Sequence, residues 1–228
     1  MKRFTAFSFF LLFSIAAHSQ VIYLKAELDG SQEVPSNGST ANGIAIVIYD
    51  PSTRLLKLIG DYQNLSAIAT ASHIHSPAAP GSNAPVLITL TNTGGISGTI
   101  SGSGTLTVAQ ETDLLGGNMY VNVLSSIFPG GEIRGQLTTT TTGQTDHLTA
   151  RIQGAQEVPP TASVAIGNAT LLLDKTTGMV YLTGSFSGLI SNISSAHIHA
   201  AAPNETGPVI IPLIFSSGTN GTIHVASA

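Results

Sequence analysis

Apolar residues in this chain alternate with polar ones or form short β-branched runs, and turn residues separate the runs. Residues 44–49 form such a run, which ends at an Asp-Pro-Ser turn, and residues 55–62 follow as the second strand of a hairpin. The same pattern returns at residues 169–173 and 179–186. Many short strands with frequent turns predict an all-β fold, either an immunoglobulin-like sandwich or a barrel of short antiparallel strands.

One short helix is expected among the strands. Further strands are predicted at residues 85–90, 96–106, 120–123 and 132–137. Thr107 and Gln110 have the spacing of a capping box, in which two side chains satisfy free backbone N–H groups at a helix start. Leu114 and Leu115 provide an apolar side, and Gly116 is a stop signal, so the predicted helix has about two turns.

Two motifs occur twice in the chain with the same spacing. Gln-Glu-Val-Pro begins at Gln32 and again at Gln156, and His-Ile-His begins at His73 and again at His197. Both pairs are 124 positions apart (156 − 32 and 197 − 73). A shared offset for two separate motifs indicates that a whole unit has been duplicated.

The duplication divides the chain into segments. We expect a signal peptide at residues 1–19, a first β domain at 21–137, a Thr-rich polar linker at 138–145 and a second β domain at 146–228. A full second copy would extend beyond residue 228, so we expect that domain to be C-terminally incomplete and the sequence to be a fragment.

The predicted signal peptide has a basic start, an apolar stretch and small residues before a cleavage point at Gln20. Lys2 and Arg3 supply the charge, and residues 4–17 are almost wholly apolar. The alternative is an uncleaved anchor, but the stretch is short for a membrane span, which needs about 20 residues. The leader is typical of an exported bacterial protein, which would be secreted or held at the cell surface.

Composition narrows the possible functions. The formal net charge is −4 and only 9% of residues are charged. No basic stripe is present, which argues against nucleic acid as a partner, and no segment of the mature chain is apolar enough to cross a membrane. The chain has no cysteine, so disulfides, zinc-thiolate sites and cysteine nucleophiles are excluded.

The His-x-His motif is the sharpest candidate site. In a strand, His73 and His75 would project from one face while Ile74 enters the core. Two imidazoles so placed can share one Cu or Zn ion, and His197 and His199 repeat the arrangement. The alternative is that the histidines bond loop backbone and order the Pro-rich segment that follows. Two ligands alone do not complete a zinc site.

Acidic and basic residues near the same motifs are candidate binding residues. Glu33 and Glu157 belong to the two Gln-Glu-Val-Pro segments, and Glu132 and Arg134 share one face of a short predicted strand. Such an acid and base most often form structural ion pairs with their neighbours. Glu33 and Glu132 could act as an acid–base pair if the fold brought them together in a cleft, but nothing in the sequence does so.

Four motifs in this order resemble the CHRD domain. They are Gln-Glu-Val-Pro, His-Ile-His with a Pro-Ala-Ala-Pro-Gly loop, Gly-Asn-Met-Tyr-Val-Asn-Val at residues 117–123, and Pro-Gly-Gly-Glu-Ile-Arg-Gly at 129–135. The family is named after chordin, an extracellular antagonist of growth factors, and occurs in many exported microbial proteins. The resemblance implies a β domain, often in tandem, with no settled enzymatic activity.

Two features of the sequence argue against a three-histidine metal site in the first unit. Members of that family commonly carry a further His where this chain has Leu124, and neither His147 nor His224 has a counterpart in the first unit. The His-Ile-His segment is also similar to the His-Val-His copper-ligand strand of copper-zinc superoxide dismutase, although that enzyme's other ligands have no match here.

Three functions are consistent with the sequence. The leading hypothesis is an exported non-enzymatic β module that binds an extracellular protein or polysaccharide or builds a surface, because no complete catalytic set is present. The rival is a metal-binding extracellular protein that uses Cu or Zn on the His-x-His strands, with redox activity as a further option. A glycosidase-like carboxylate pair is the weakest of the three.

Overall fold

The first unit is a closed antiparallel β-barrel followed directly by a second β unit. A computed structural model of the chain describes residues 20–227, so the predicted signal peptide at residues 1–19 lies outside the described residues. The strands of the first unit are β1 (Ile22–Asp29), β2 (Asn42–Asp50), β3 (Leu55–Gln63), β4 (Ala69–His75), β5 (Val86–Asn92), β6 (Gly98–Thr105), β7 (Tyr120–Ser125), β8 (Ile133–Gln136) and β9 (Thr138–Thr139). Helix α1 (Val108–Leu115) lies between β6 and β7.

The barrel has the strand order β2-β3-β6-β5-β4-β7-β8-β1 and closes because β1 also pairs with β2. That pairing runs in continuous antiparallel register from Ile22 opposite Tyr49 to Asp29 opposite Asn42. Closure leaves these eight strands without an open edge. The prediction of an all-β fold built from short antiparallel strands is confirmed, and the barrel is the form that the first unit takes.

Alternation along each strand fills the barrel with apolar side chains. On β4, Ile74 is fully buried in this core, while the neighbouring His73 and His75 lie on the outer face. On β7, Val121 and Val123 point inward in the same way. Because alternate residues of β4 and β7 fill the interior, the residues between them point to the outer surface.

Helix α1 confirms the capping-box prediction. The hydroxyl oxygen of Thr107 accepts a bond from the Gln110 backbone N–H at 3.3 Å, and the Gln110 side chain accepts one from the Thr107 N–H at 2.8 Å. Only Leu114 is buried against the barrel, since Leu115 is 39% exposed. Across residues 20–227, no helix has the length and apolar character needed to span a bilayer.

The second unit repeats the first strands of the barrel as an open arrangement. Its strands are β10 (Thr145–Gln153), β11 (Ile166–Asp174), β12 (Val180–Ser187), β13 (His197–His199), β14 (Val209–Pro212), β15 (Ile214–Phe215) and β16 (Gly221–Ser227). One sheet has the order β10-β11-β12-β16-β15, and β13 and β14 form a separate hairpin. A small apolar cluster that includes Leu182 and Val225 forms its own core.

The predicted Thr-rich linker is partly structured. Thr138 and Thr139 form β9, which pairs with β1, and the backbone N–H of Thr140 donates to the Tyr23 carbonyl at 3.0 Å. Thr141 donates to the Asp174 carboxylate through both its backbone N–H and its hydroxyl. These bonds attach the segment to both units and shorten the free connection between them.

The two units pack through equivalent faces. Strands β2, β3 and β6 of the barrel face strands β12 and β16 of the second unit. Ile44 and Ile46 of the first unit and Leu172 and Tyr181 of the second form a buried apolar cluster between them. We call this surface the inter-unit face.

Candidate functional site

Six side chains on the outer face of β4, β7 and β8 form two rows across the strands. One row consists of His73, Asn122 and Arg134, and the other of His75, Tyr120 and Gln136. We call these six residues the polar cluster. They share one face because side chains two positions apart on a strand point the same way, and antiparallel register then places the rows side by side.

The tautomer of His75 is set by a backbone carbonyl. Its Nδ1 lies 2.9 Å from the Ala84 carbonyl oxygen, so Nδ1 carries the proton and donates. The lone pair of Nε2 is therefore free, and that atom is buried without a hydrogen-bond partner within the described residues. Nδ1 of His73 is likewise buried without a hydrogen-bond partner among these residues. The two rings lie edge to face with centroids 5.5 Å apart.

Burial favours the neutral form of both imidazoles. It lowers the pKa of His73, and it lowers the pKa of His75 with further contributions from the nearby charges of His73 and Arg134. A neutral imidazole with a free lone pair is the form that binds a transition metal.

Tyr120 lies between two other planar groups of the cluster. The His75 ring stacks on it with centroids 4.6 Å apart and planes 3° from parallel, and the Arg134 guanidinium carbon is 3.5 Å from the centroid of the Tyr120 ring. Arg134 is 1% exposed and donates to the side-chain oxygens of Asn83 and Gln136, each at 3.3 Å. Its charge is thus met by an aromatic face and neutral oxygens.

Glu33 approaches the polar cluster from the loop after β1. Its carboxylate accepts a bond from the Asn122 side-chain amide at 2.9 Å, and it is 7% exposed. Burial raises the pKa of Glu33 to about 7, against the opposing effect of the Arg134 charge. Gly131 makes room for the carboxylate, since a Cβ there would lie 2.6 Å from one of its oxygens.

Glu132 is held apart from the polar cluster by hydroxyl and backbone donors. One carboxylate oxygen accepts bonds from the Ser66 backbone N–H at 2.6 Å and the Ser39 hydroxyl at 2.7 Å. Burial alone would raise the pKa of this carboxyl, but hydrogen bonds from Ser125, Ser66 and Ser39 outweigh it and lower the pKa. Glu132 thus ties together the loops at one end of the barrel.

Among residues 20–227, neither Glu132 nor Arg134 forms the expected ion pair. Ion pairs within the described residues join Lys25 to Glu27, Lys175 to Asp146, and His224 to Asp61. Glu33 and Glu132 have different hydrogen-bond partners, so the structure gives no shared acid–base contact between them.

The polar cluster holds two loops in place. The Gln136 side-chain amide donates to the carbonyls of Ala78 and Gly117 at 2.8 and 2.6 Å. The Asn83 amide donates to the Val34 carbonyl at 2.9 Å, which joins the Pro-rich loop to the Gln-Glu-Val-Pro loop. The outer surface of the site therefore consists of two loops of fixed shape.

The second unit repeats the histidine arrangement in a more exposed setting. His197 and His199 flank the middle residue of β13, and their ring centroids are 5.8 Å apart. Nδ1 of His199 lies 2.9 Å from the Gly207 carbonyl, so this ring is held in the same tautomer as His75. Glu157 and Glu205 line a shallow cleft beside His199.

Sequence reasoning identified His73, His75, Glu33 and Arg134 of this assembly but missed Tyr120, Asn122 and Gln136. The alternation that places the two histidines on one face applies equally to Tyr120 and Asn122 within the Tyr-Val-Asn-Val segment. That pattern could have indicated their outward direction, but not that β7 pairs with β4.

The fold and the site define the class of protein. It is a chain of two tandem β domains, and residues of the four sequence motifs of the first domain meet around one polar cluster. The CHRD domain model matches residues 24–137 and 148–226, so the chain belongs to the CHRD domain family. This confirms the resemblance and both repeats. No curated protein and no solved structure matches the chain.

The chemistry open to this site is limited by its ligand count. Within residues 20–227, no three His, Cys, Asp or Glu side chains are placed to hold a metal ion together. A metal at His73 and His75 would therefore have two protein ligands and complete its coordination with water or an external ligand.

Proposed function

We propose that this protein is an exported, non-enzymatic module, secreted or held at the cell surface, that binds an extracellular protein or polysaccharide. The ligand-binding surface is formed by the Pro-rich loop and the Gln-Glu-Val-Pro loop above the polar cluster. Membership in the CHRD family supports an extracellular β module.

The observation that carries the proposal is the convergence of all four motifs on one rigid site. Glu33, His75, Tyr120 and Arg134 come from distant parts of the chain and meet over β4, β7 and β8. Buried polar groups are expensive to maintain and hold loop backbone in a single conformation. Rigid loops on a β scaffold are a common form of recognition surface, since little entropy is lost on binding.

The carboxylates support a binding role over hydrolysis. Glu132 accepts bonds from Ser39 and Ser66, and Glu33 accepts one from Asn122. Each carboxylate thus has a structural partner of its own. A glycosidase needs two carboxyl groups facing each other across a substrate.

A depletion assay tests the binding proposal. Residues 20–228 are mixed with insoluble cellulose, chitin and peptidoglycan, and with immobilised extracellular-matrix protein, and the protein left in solution is measured. We expect one of these to retain the protein, and Ser82→Arg in the exposed Pro-rich loop to abolish retention. Ser191→Arg, in an exposed loop of the second unit, is the matched control. The proposal is contradicted if the two variants are retained equally, or if no matrix retains the unaltered protein.

A second candidate function is binding of Cu or Zn by the His-x-His pairs. The observation that favours it is the fixed tautomer: Nδ1 of His75 and Nδ1 of His199 each donate to a carbonyl at 2.9 Å, which leaves Nε2 of each ring free. A hydrogen bond from one ring nitrogen is how proteins orient an imidazole for a metal on the other. Redox activity at bound Cu would be a further property of the same site.

Calorimetric titration with Cu(II) and Zn(II) tests the metal function. We expect two ions per chain, one ion when His73 and His75 are replaced by Gln, and none when His197 and His199 are also replaced. His147→Gln, which lies outside both pairs, should still bind two. A stoichiometry that is the same in all these variants contradicts metal binding at the pairs.

A further inference from the structure

Two ionisable side chains are buried in the inter-unit face. Asp61 on β3 is fully buried, and His224 on β16 is 2% exposed. Nδ1 of His224 lies 2.8 Å from one oxygen of the Asp61 carboxylate. The other oxygen accepts a bond from the Ile44 backbone N–H at 3.1 Å, and the Thr183 hydroxyl also bonds to this carboxyl. A carboxyl of the first unit is thus satisfied largely by groups of the second.

Few other charges face this pair. On the strands packed around it, the other ionisable residues are Lys57 and Tyr62 on β3, Tyr49 and Asp50 on β2, and Tyr181 on β12, while β6 has none. Tyr49 and Tyr62 belong to the core of the barrel. Lys57 is exposed, and Tyr181 is covered by the ammonium of Lys25, 4.8 Å from its ring centroid. The contact beside the pair, from the Gln63 amide to the Thr222 carbonyl at 3.2 Å, is neutral. Asp61 and His224 therefore depend on each other for charge balance.

The pair has no equivalent elsewhere in the duplicated chain. The counterpart of Asp61 is Ser185, and the counterpart of His224, after the one-residue shortening of the second Pro-rich loop, is Ser101. These two serines line a cleft between the units instead of closing it. The acid and the base thus occur at one end of the inter-unit face, and serine hydroxyls take their places at the other end.

We propose that Asp61 and His224 form a proton-dependent lock that holds the two units together and releases them as pH rises. When an imidazolium faces the carboxylate, the inter-unit face buries no net charge. Without that proton, the pair keeps one negative charge buried between the units, which is costly. Burial raises the pKa of Asp61. The docked arrangement therefore binds protons more tightly than the separated units, and linkage makes docking stronger at lower pH.

Spin-label distance measurements on residues 20–228 test this lock. The chain has no cysteine, so Cys introduced at exposed Ala109 and Thr176 would label one site in each unit. At pH 5.5 we expect one narrow distance. As the pH is raised from there to 9 we expect a growing broad component, with the docking equilibrium changing by up to about tenfold per pH unit for each proton released.

Two variants separate the lock from a general effect of pH. Asp61→Asn keeps the size of the side chain but carries no negative charge, so raising the pH should not broaden its distance distribution. Asp50→Asn, on the neighbouring strand but outside the pair, should respond as the unaltered chain does. The proposal is overturned if the unaltered chain gives one distribution from pH 5.5 to 9, or if Asp61→Asn retains the full response.

Discussion

The guanidinium of Arg134 lies flat against the ring of Tyr120, with its central carbon 3.5 Å from the ring centroid. The His75 ring stacks on the same tyrosine. A residue of the Gly-Glu-Ile-Arg-Gly motif is thereby coupled to the His-x-His motif through one aromatic side chain. The stack fixes the orientation of His75, and with it the direction of the free Nε2.

Replacing Arg134 with Lys should therefore destabilise the barrel although the charge is kept. Lys has no planar fork, so it loses the contact with Tyr120 and the bonds to Asn83 and Gln136. We expect the free energy of unfolding to fall by about 1–3 kcal/mol in urea denaturation. Lys57→Arg, an exchange of the same two residue types at an exposed position, should change it by less than about 0.5 kcal/mol. Equal effects would show that the stack contributes nothing.

Alanine substitutions at two adjacent glycines, Gly130 and Gly131, test how tightly the Glu33 carboxylate is enclosed. A Cβ on Gly131 would lie 2.3 Å from the Asn122 amide nitrogen and 2.6 Å from a Glu33 oxygen, and its φ is +138°. A Cβ on Gly130 would meet nothing within 4 Å. We expect Gly131→Ala to lower the free energy of unfolding by about 2–3 kcal/mol and Gly130→Ala by less than about 1 kcal/mol. Thermal unfolding of both variants would check this, and a harmless Gly131→Ala would contradict the described enclosure.

Much of this architecture could be predicted because alternation is a local property. His73-Ile74-His75 showed which side chain enters the core and which face bears the imidazoles, and Thr107 with Gln110 located the helix start. Each of these predictions depends on residues a few positions apart. The duplication, which compares the chain with itself, revealed the domain organisation in the same way.

The remainder could not be predicted because it depends on strand pairing. Nothing near Tyr120 indicates that β7 lies beside β4, so its stacking on His75 was not foreseen. His224 has no counterpart in the first unit, and this gave no reason to consider it further. Its partner Asp61 is 163 positions away and belongs to the other unit. A contact between two domains leaves no periodic trace in either one.

The raised pKa of Glu33 predicts a pH-dependent stability that one substitution should remove. Because burial raises this pKa to about 7 in the folded state, the stabilising form is the protonated one. Its contribution is complete at acid pH and is lost as pH rises through about 7. Glu33→Gln cannot ionise and still offers an oxygen to Asn122.

We therefore expect Glu33→Gln to be more stable than the unaltered chain at pH 8.5, by about 1–2 kcal/mol, and nearly equal to it at pH 5. Urea midpoints at both values measure the difference. Glu27→Gln, at a carboxyl on β1 outside the polar cluster, is the control and should show no such change. An advantage for Glu33→Gln that is the same at both pH values would indicate a packing effect instead.

The two units have different residues at equivalent positions of the inter-unit face. Ile46 is buried under the second unit, whereas its counterpart 124 positions later is Thr170. The closed barrel should fold as residues 20–142 alone, with Ile46 then open to water. In that fragment we expect Ile46→Thr to change the free energy of unfolding by less than about 0.5 kcal/mol.

In the full chain, the same substitution should weaken docking, because it places a hydroxyl in the apolar cluster formed with Leu172 and Tyr181. The cost should be about 1–3 kcal/mol. Val47→Thr is the matched control: Val47 is the next residue on β2 but points into the barrel, so it should destabilise the fragment and the full chain alike. Urea unfolding of both variants, measured in the fragment of residues 20–142 and in the full chain, gives these changes in the free energy of unfolding. If Ile46→Thr costs the same in the fragment as in the full chain, Ile46 stabilises the barrel itself and not its contact with the second unit.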